Sequence, residues 1–135
     1  MIFTIFLLAA LMQLTFSMPS MQKVREARDA AAPATYCSDV PPGVRKPEPV
    51  DCHQIIEYFS QYDPSGWITL DSCIMDSVGS CYGYICNNRD ESIRINTGEL
   101  AYNLTVNLFD PCILAGRDAY WNGGDYYAVM GGVTG

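Results

Sequence analysis

Hydrophobic and polar positions follow a helical period in two parts of the chain and a strand period between them. The first helical stripe consists of Ile55, Ile56, Phe59 and Tyr62. Asp51 stands before this stripe, and Gln54 comes three residues after Asp51. This is the spacing of an N-cap with a capping box. Pro64 cannot continue a helix and Gly66 suits a turn, so we expect this helix to end within residues 63–66.

The segment after this helix has the two-residue period of β-strands. Its predicted strands cover residues 67–73, 81–86 and 92–96. We expect a turn at 76–79 and a polar loop at 87–91. Short connections of this kind favour an antiparallel meander.

A second helix and a last strand complete the predicted elements. Leu100, Leu104 and Leu108 repeat every fourth residue behind Thr97, the predicted N-cap, and Pro111 ends the helix. Paired glycines bracket a final strand at 125–130. This order is typical of an α+β fold, a small antiparallel sheet of about four strands with two helices packed on one face.

The N-terminal run 2–16 is almost wholly hydrophobic but shorter than the roughly 20 residues of a membrane span. Thr15 and Ser17 fit the small-residue rule for cleavage after Ser17. We therefore interpret residues 1–17 as a signal peptide and residues 18–35 as a leader or pro-segment. A lone N-terminal membrane anchor is the alternative for the hydrophobic run.

Six cysteines follow the hydrophobic run, namely Cys37, Cys52, Cys73, Cys81, Cys86 and Cys112. An even number after an export signal indicates a disulfide framework in a secreted, extracellular protein. A zinc site is disfavoured because the chain has no C-x-x-C pair and a single histidine. We expect one monomeric, disulfide-stapled domain over residues 36–135, which reduction would destabilise severely because so small a core is marginal.

The net charge of −7 limits the classes of partner. Nucleic acids and anionic lipid head groups repel such a surface, so we expect neither nucleic-acid binding nor stable membrane insertion once the signal is removed. Such an acidic surface can still bind a basic protein, a neutral polysaccharide or a receptor loop.

The sequence contains few residue patterns that are typical of catalytic or metal-binding sites. His53 is the only histidine, and Glu57, one helical turn later, is the partner it would need as a general base. The chain lacks the EF-hand spacing of acidic residues and a nucleophile elbow. We expect solvated carboxylates, no catalytic site, no metal and no cofactor; the acidic residues considered for calcium are Asp71, Asp76, Asp90, Asp110, Asp118 and Asp125.

Aromatic residues are the candidates for a binding surface, either for sugar stacking or for a protein. They are Tyr82, Tyr84, Tyr120, Trp121, Tyr126 and Tyr127. Tyr120 and Trp121, predicted to lie in an exposed loop, are the leading pair, because aromatic side chains bury a large area and keep a polar group. Asn103 begins a glycosylation sequon on the second predicted helix and should face outward.

Four stretches also carry a family resemblance: DCHQII at 51–56, WITL at 67–70, GSC at 79–81 and IRINTGEL at 93–100. In order and spacing they resemble the fungal secreted effectors called extracellular protein two, a necrosis-inducing group related to killer-toxin-like proteins. The likeness covers roughly residues 36–131. The long stretch after Cys112, which contains Trp121, departs from the family's short loop.

The resemblance implies a virulence or antagonism role without an agreed catalytic site. We therefore expect a non-enzymatic effector or toxin-like protein that acts by binding a host or competitor protein or a cell-surface component. A killer-toxin-like channel or transporter blocker and a small hydrolase or nuclease using His53 are the alternatives. Cys73 and Cys86 look like additions to the family's four-cysteine plan of Cys37, Cys52, Cys81 and Cys112. Under this interpretation the two additions pair with each other across neighbouring strands.

Overall fold

The computed structural model describes residues 34–134, so the predicted signal peptide and most of the predicted leader lie outside the described residues. The strands are β1 (Ala34–Ser38), β2 (Trp67–Leu70), β3 (Cys73–Val78), β4 (Cys81–Asn87), β5 (Ile93–Asn96), β6 (Asp118–Asn122) and β7 (Tyr126–Gly132). The helices are α1 (Pro49–Ser60) and α2 (Thr97–Leu104), and a π-helical turn at Thr105–Phe109 extends α2. Within residues 34–134, no helix has both the length and the apolar character that a bilayer crossing requires.

The fold is α+β, as predicted, with a five-stranded antiparallel sheet in the order β1-β6-β7-β4-β3. A separate two-stranded ribbon joins β2 to β5. The predicted meander is therefore wrong, because β5 pairs with β2 and β4 pairs with β3 and β7. The sheet also gains β1 and β6, two strands that the sequence pattern did not indicate.

Helix α1 begins two residues before the predicted N-cap. Glu48 occupies the N-cap position and Pro49 begins the helix, a position where the missing N–H of proline costs nothing. Asp51 thus lies in the first turn, and the predicted capping box is wrong. Its carboxylate instead accepts hydrogen bonds from Ser80 N (2.8 Å) and Ser80 Oγ (2.7 Å).

The apolar face of α1 packs on β3 and β4. Ile55, Ile56 and Phe59 are buried in the core as predicted, whereas Tyr62 lies beyond the end of α1 and is exposed. The helix lies so close to β4 that a Cβ added at Gly83 would stand 2.8 Å from Cγ2 of Ile55. Glycine at this position is what allows the close approach.

The β3–β4 hairpin turns at Gly79 and Ser80, not over the predicted residues 76–79, because β3 continues to Val78. Gly79 has φ +53°, a conformation that favours glycine. A Cβ at Gly79 would also stand 2.5 Å from the Asp51 carboxylate. The absence of a side chain at Gly79 therefore lets the first turn of α1 pack closely on the β3–β4 hairpin turn.

Helix α2 begins one residue after its cap, which is Asn96 and not the predicted Thr97. The Asn96 side chain accepts a hydrogen bond from Glu99 N (3.0 Å), whereas Thr97 is buried and its hydroxyl donates to the carbonyl of Gly66. The leucine stripe is confirmed, since Leu100, Leu104 and Leu108 all lie in the core. The helical segment ends before Pro111, as predicted.

The six cysteines form three disulfides: Cys37–Cys112, Cys52–Cys81 and Cys73–Cys86. The predicted pairing of Cys73 with Cys86 across neighbouring strands is confirmed, since the two residues are direct partners in the β3–β4 register. The other four cysteines pair among themselves. They connect β1 to the segment after α2, and α1 to β4.

Candidate binding surface

The outer face of the five-stranded sheet, the face turned away from α1, is the candidate site. Side chains alternate between the two faces of a strand, and the inner face carries buried residues such as Ile85, Ala128 and Met130. One outer-face residue from each strand meets its neighbour directly across the sheet. This outer row runs in the order Tyr36, Tyr120, Val129, Tyr84 and Met75.

Tyrosines on the outer face contact one another in a continuous series, which we call the tyrosine ladder. Its members in order are Tyr36, Tyr120, Tyr127, Tyr84 and Tyr82. Successive ring centroids lie 6.2, 6.0, 6.4 and 6.0 Å apart. The rings of Tyr82 and Tyr84 are stacked, with an interplanar angle of 14°. The ladder therefore covers the outer face from β1 to β4.

The outer row is exposed at both edges of the sheet. Tyr36 is 65% exposed and Met75 is 66% exposed, while the residues between them are half-buried by their neighbours. Partial burial raises the pKa of Tyr82 and Tyr84, because the loss of water costs the charged phenolate more than the neutral phenol. Both side chains thus present neutral hydroxyl groups beside apolar ring faces.

The outer face is nearly free of charge. Asp118 is the only charged residue among the strand positions that point to this side. Its Oδ1 accepts a hydrogen bond from Gly132 N (2.9 Å), and a Cβ at Gly131 would stand 2.5 Å from the same oxygen. The carboxylate is thus already engaged by the backbone of β7.

Trp121 was predicted as an exposed loop residue, and this prediction is wrong. Tyr120 and Trp121 both lie on β6, where adjacent side chains point to opposite faces. Tyr120 joins the outer row, whereas Trp121 is 6% exposed and packs edge-on against Tyr126, which is 8% exposed. Trp121 and Tyr126 belong to the core.

Three members of the outer row, Tyr36, Val129 and Met75, were not among the candidates taken from the sequence. Met75 was missed because the predicted strand ended at residue 73 and a turn was predicted at 76–79, whereas β3 covers Cys73–Val78. Tyr36 lies in a segment for which the hydrophobic pattern predicted no element. Its strand is defined by pairing with β6, and nothing in the local pattern indicates that pairing.

Residues 34–134 line two cavities that bear on the candidate site. One, of about 340 Å³, lies at the β3 side of the outer face and is lined by Met75, Ser77, Tyr82, Tyr84, Val133 and Thr134; we call it the outer hollow. The other, of about 210 Å³, lies between the β2–β5 ribbon and β7. It is lined by charged groups, among them Arg94, Glu99 and Asp125, and the Arg94 guanidinium lies 4.8 Å from the ring centroid of Trp67.

His53 and Glu57 do approach each other on α1, as a general base would require. Nε2 of His53 lies 3.2 Å from Oε1 of Glu57, and both side chains are mostly exposed. The pair lines neither of the two cavities. The contact is an i,i+4 pair of exposed side chains on α1.

Three of the remaining candidate residues, Asn103, Asp125 and Asp71, make side-chain contacts. Asn103 is half-buried and its Nδ2 lies 3.1 Å from the hydroxyl of Tyr126, so it does not point freely outward as expected. Asp125 forms an ion pair with Arg89 (2.6 Å), and the Ser92 hydroxyl donates to Asp71. Among residues 34–134, no three histidine, cysteine or carboxylate side chains come together as a metal site would need.

Comparisons of the chain with models of known protein families, with curated proteins and with solved structures find no match.

Proposed function

We propose that the chain is a secreted, disulfide-stapled, non-enzymatic protein of the effector or toxin-like class. It acts on host or competitor cells by binding, and the outer face of the five-stranded sheet is its binding surface. The observation that carries the proposal is the outer row of Tyr36, Tyr120, Val129, Tyr84 and Met75. The resemblance of residues 36–131 to secreted fungal effectors supports the biological role.

The composition of the outer row supports a binding role for physical reasons. The water-facing side of an antiparallel sheet normally carries polar residues, because the apolar side chains alternate onto the core face. Here the central positions are tyrosine and valine, and the edge position on β3 is an exposed methionine. Tyrosine and methionine are enriched in binding interfaces. Tyrosine also buries a large area at a modest entropic cost.

The test uses the protein secreted from the full chain, infiltrated into plant leaves and added to microbial cultures, with cell death and growth as readouts. Tyr84→Ala should reduce activity roughly tenfold, the effect of losing one moderate binding contact. Tyr36→Ala should also reduce activity. Because Tyr36 lies at an exposed edge position, this change should leave the fold intact. Tyr102→Ala is the matched control, because Tyr102 is an exposed tyrosine on α2.

His53→Ala tests the enzymatic alternative, which the 3.2 Å contact with Glu57 keeps open. A hydrolase or nuclease would lose its activity with this substitution, whereas a binding protein would keep it. The proposal is wrong if folded His53→Ala is inactive while Tyr84→Ala and Tyr36→Ala retain full activity.

A further inference from the structure

The outer hollow differs from the other cavity in carrying no charged side chain. Its lining combines the stacked rings of Tyr82 and Tyr84 with the hydroxyl-bearing residues Ser77 and Thr134. Apolar ring faces beside neutral hydroxyls match the two sides of a sugar ring, which has C–H faces and an equatorial rim of hydroxyl groups. We propose that the outer hollow and the outer row bind a neutral polysaccharide, an inference that rests on the proposed binding role of the outer face.

Charge favours a neutral ligand over a charged one. The chain carries a net charge of −7, but the outer face concentrates uncharged residues, and its Asp118 is already hydrogen-bonded to the β7 backbone. An anionic polymer would be repelled by the protein as a whole. A cationic polymer would find its counter-charges elsewhere on the surface, away from the aromatic rings.

The length of the outer row suits a linear ligand. Five strands at a spacing of about 4.8 Å place its first and last residues about 19 Å apart. A polymer chain can follow a strip of this length.

The path for the polymer follows the outer row. Tyr36, Tyr120 and Tyr84 lie on three of the five strands and in direct register through Val129, so their side chains define a line perpendicular to the strands. The line ends at Met75, which also lines the outer hollow. A ligand along this line would contact the tyrosine ladder and then fill the hollow.

The test is a sedimentation assay with insoluble chitin, cellulose and β-1,3-glucan as neutral probes and polygalacturonate as an anionic probe. The wild-type protein should bind at least one neutral probe, and binding should be unchanged between about 0.05 and about 0.5 M salt because no ion pair is formed. Tyr84→Ala should weaken binding roughly tenfold. Met75→Glu, which places a charge in the hollow at an exposed position, should do the same in a folded protein, and Tyr102→Ala should bind as wild type.

Three results would overturn the polysaccharide inference: no binding to any neutral probe, binding that salt abolishes, or binding that Tyr84→Ala and Met75→Glu leave intact. The leaf and culture assays on the same variants separate this failure from that of the proposed function. If the neutral probes do not bind but Tyr84→Ala still lowers activity in those assays, the outer face is a binding surface for a ligand of another class. If neither assay responds, both proposals are wrong.

Discussion

Asp51 illustrates how a tertiary contact can replace the local role that a sequence pattern indicates. An aspartate three residues before a glutamine predicts a capping box, but Pro49 begins the helix earlier. The carboxylate then contacts Ser80, whose hydroxyl also accepts a hydrogen bond from Glu48 N (2.8 Å). Ser80 is fully buried, so this contact fixes the start of α1 to the β3–β4 turn.

Acid should weaken this contact. The hydrogen bonds from Ser80 N and Oγ lower the pKa of Asp51, because they favour the carboxylate. The folded-state pKa is thus below the unfolded value of about 3.9, so the stabilisation is present above about pH 4 and is lost as pH falls further. The free energy of unfolding, measured by urea denaturation from pH 6 downwards, should fall less steeply below about pH 4 in Asp51→Asn than in wild type.

Asp90→Asn is the matched control, because Asp90 is an exposed aspartate in a loop. Its pH dependence should follow that of the wild-type protein. If the free energy of unfolding falls equally steeply below about pH 4 in Asp51→Asn and in wild type, the Ser80 contact does not stabilise the fold.

Single residues were hardest to place where their strand had not been predicted. Trp121 and Tyr120 are neighbours in the sequence, and a shift of one residue in a strand exchanges the core face for the outer face. The sequence alone therefore identified aromatic candidates but could not assign Trp121 to the core. The assignment depends on the pairing of β6 with β7, in which Trp121 stands opposite the buried Ala128.

Elements with strong internal patterns were predictable, and elements defined by distant pairing were not. Helices α1 and α2 and strands β4 and β7 follow from apolar spacing and from glycine and proline positions. Strands β1 and β6 are short and partly polar, and each lies next to the other although far apart in sequence. Strand formation of this kind depends on context more than on intrinsic preference.

The packing of α1 on β4 can be tested at Gly83. Gly83→Ala should destabilise the protein by about 1–3 kcal/mol, because the added methyl group overlaps with Ile55. Ile55→Ala removes the overlapping atoms and alone should cost about 2–5 kcal/mol by leaving a cavity. In the Ile55→Ala background, the additional cost of Gly83→Ala should fall well below its value in wild type.

Urea unfolding of the two single variants and the double variant completes this double-mutant cycle. A coupling energy of about 1 kcal/mol or more would establish the close approach of helix and sheet. Strictly additive costs would mean that α1 does not lie against Gly83 as described.

At the scale of the whole molecule, the three disulfides differ in what they connect. Cys73–Cys86 lies within one hairpin and spans 13 residues, and Cys73 is exposed. Cys52–Cys81 joins α1 to β4 beside the Asp51–Ser80 contact, and both cysteines are fully buried. Cys37–Cys112 spans 75 residues and fixes β1, the strand that carries Tyr36, to the end of the helical segment.

These differences predict unequal responses to cysteine replacement. The joint change Cys73→Ala and Cys86→Ala should lower the free energy of unfolding by about 3 kcal/mol and leave a cooperative fold, because the β3–β4 ladder still aligns the hairpin. The joint change Cys52→Ala and Cys81→Ala should prevent stable folding. It removes a loop closure worth about 3.5 kcal/mol and also buried contacts at the helix–sheet boundary, a large part of the roughly 5–15 kcal/mol that stabilises a typical domain.

Thermal unfolding followed by near-ultraviolet circular dichroism measures both changes, and wild type in excess reductant gives the limit with all three bridges open. We expect a sharp transition for the Cys73–Cys86 variant and none for the Cys52–Cys81 variant or the reduced protein, because a core of this size is marginal without its staples. A sharp native transition in reductant would refute the argument, since hydrophobic packing alone would then stabilise the fold. Equal losses in the two variants would instead show that the hairpin bridge contributes as much to folding as the bridge between α1 and β4.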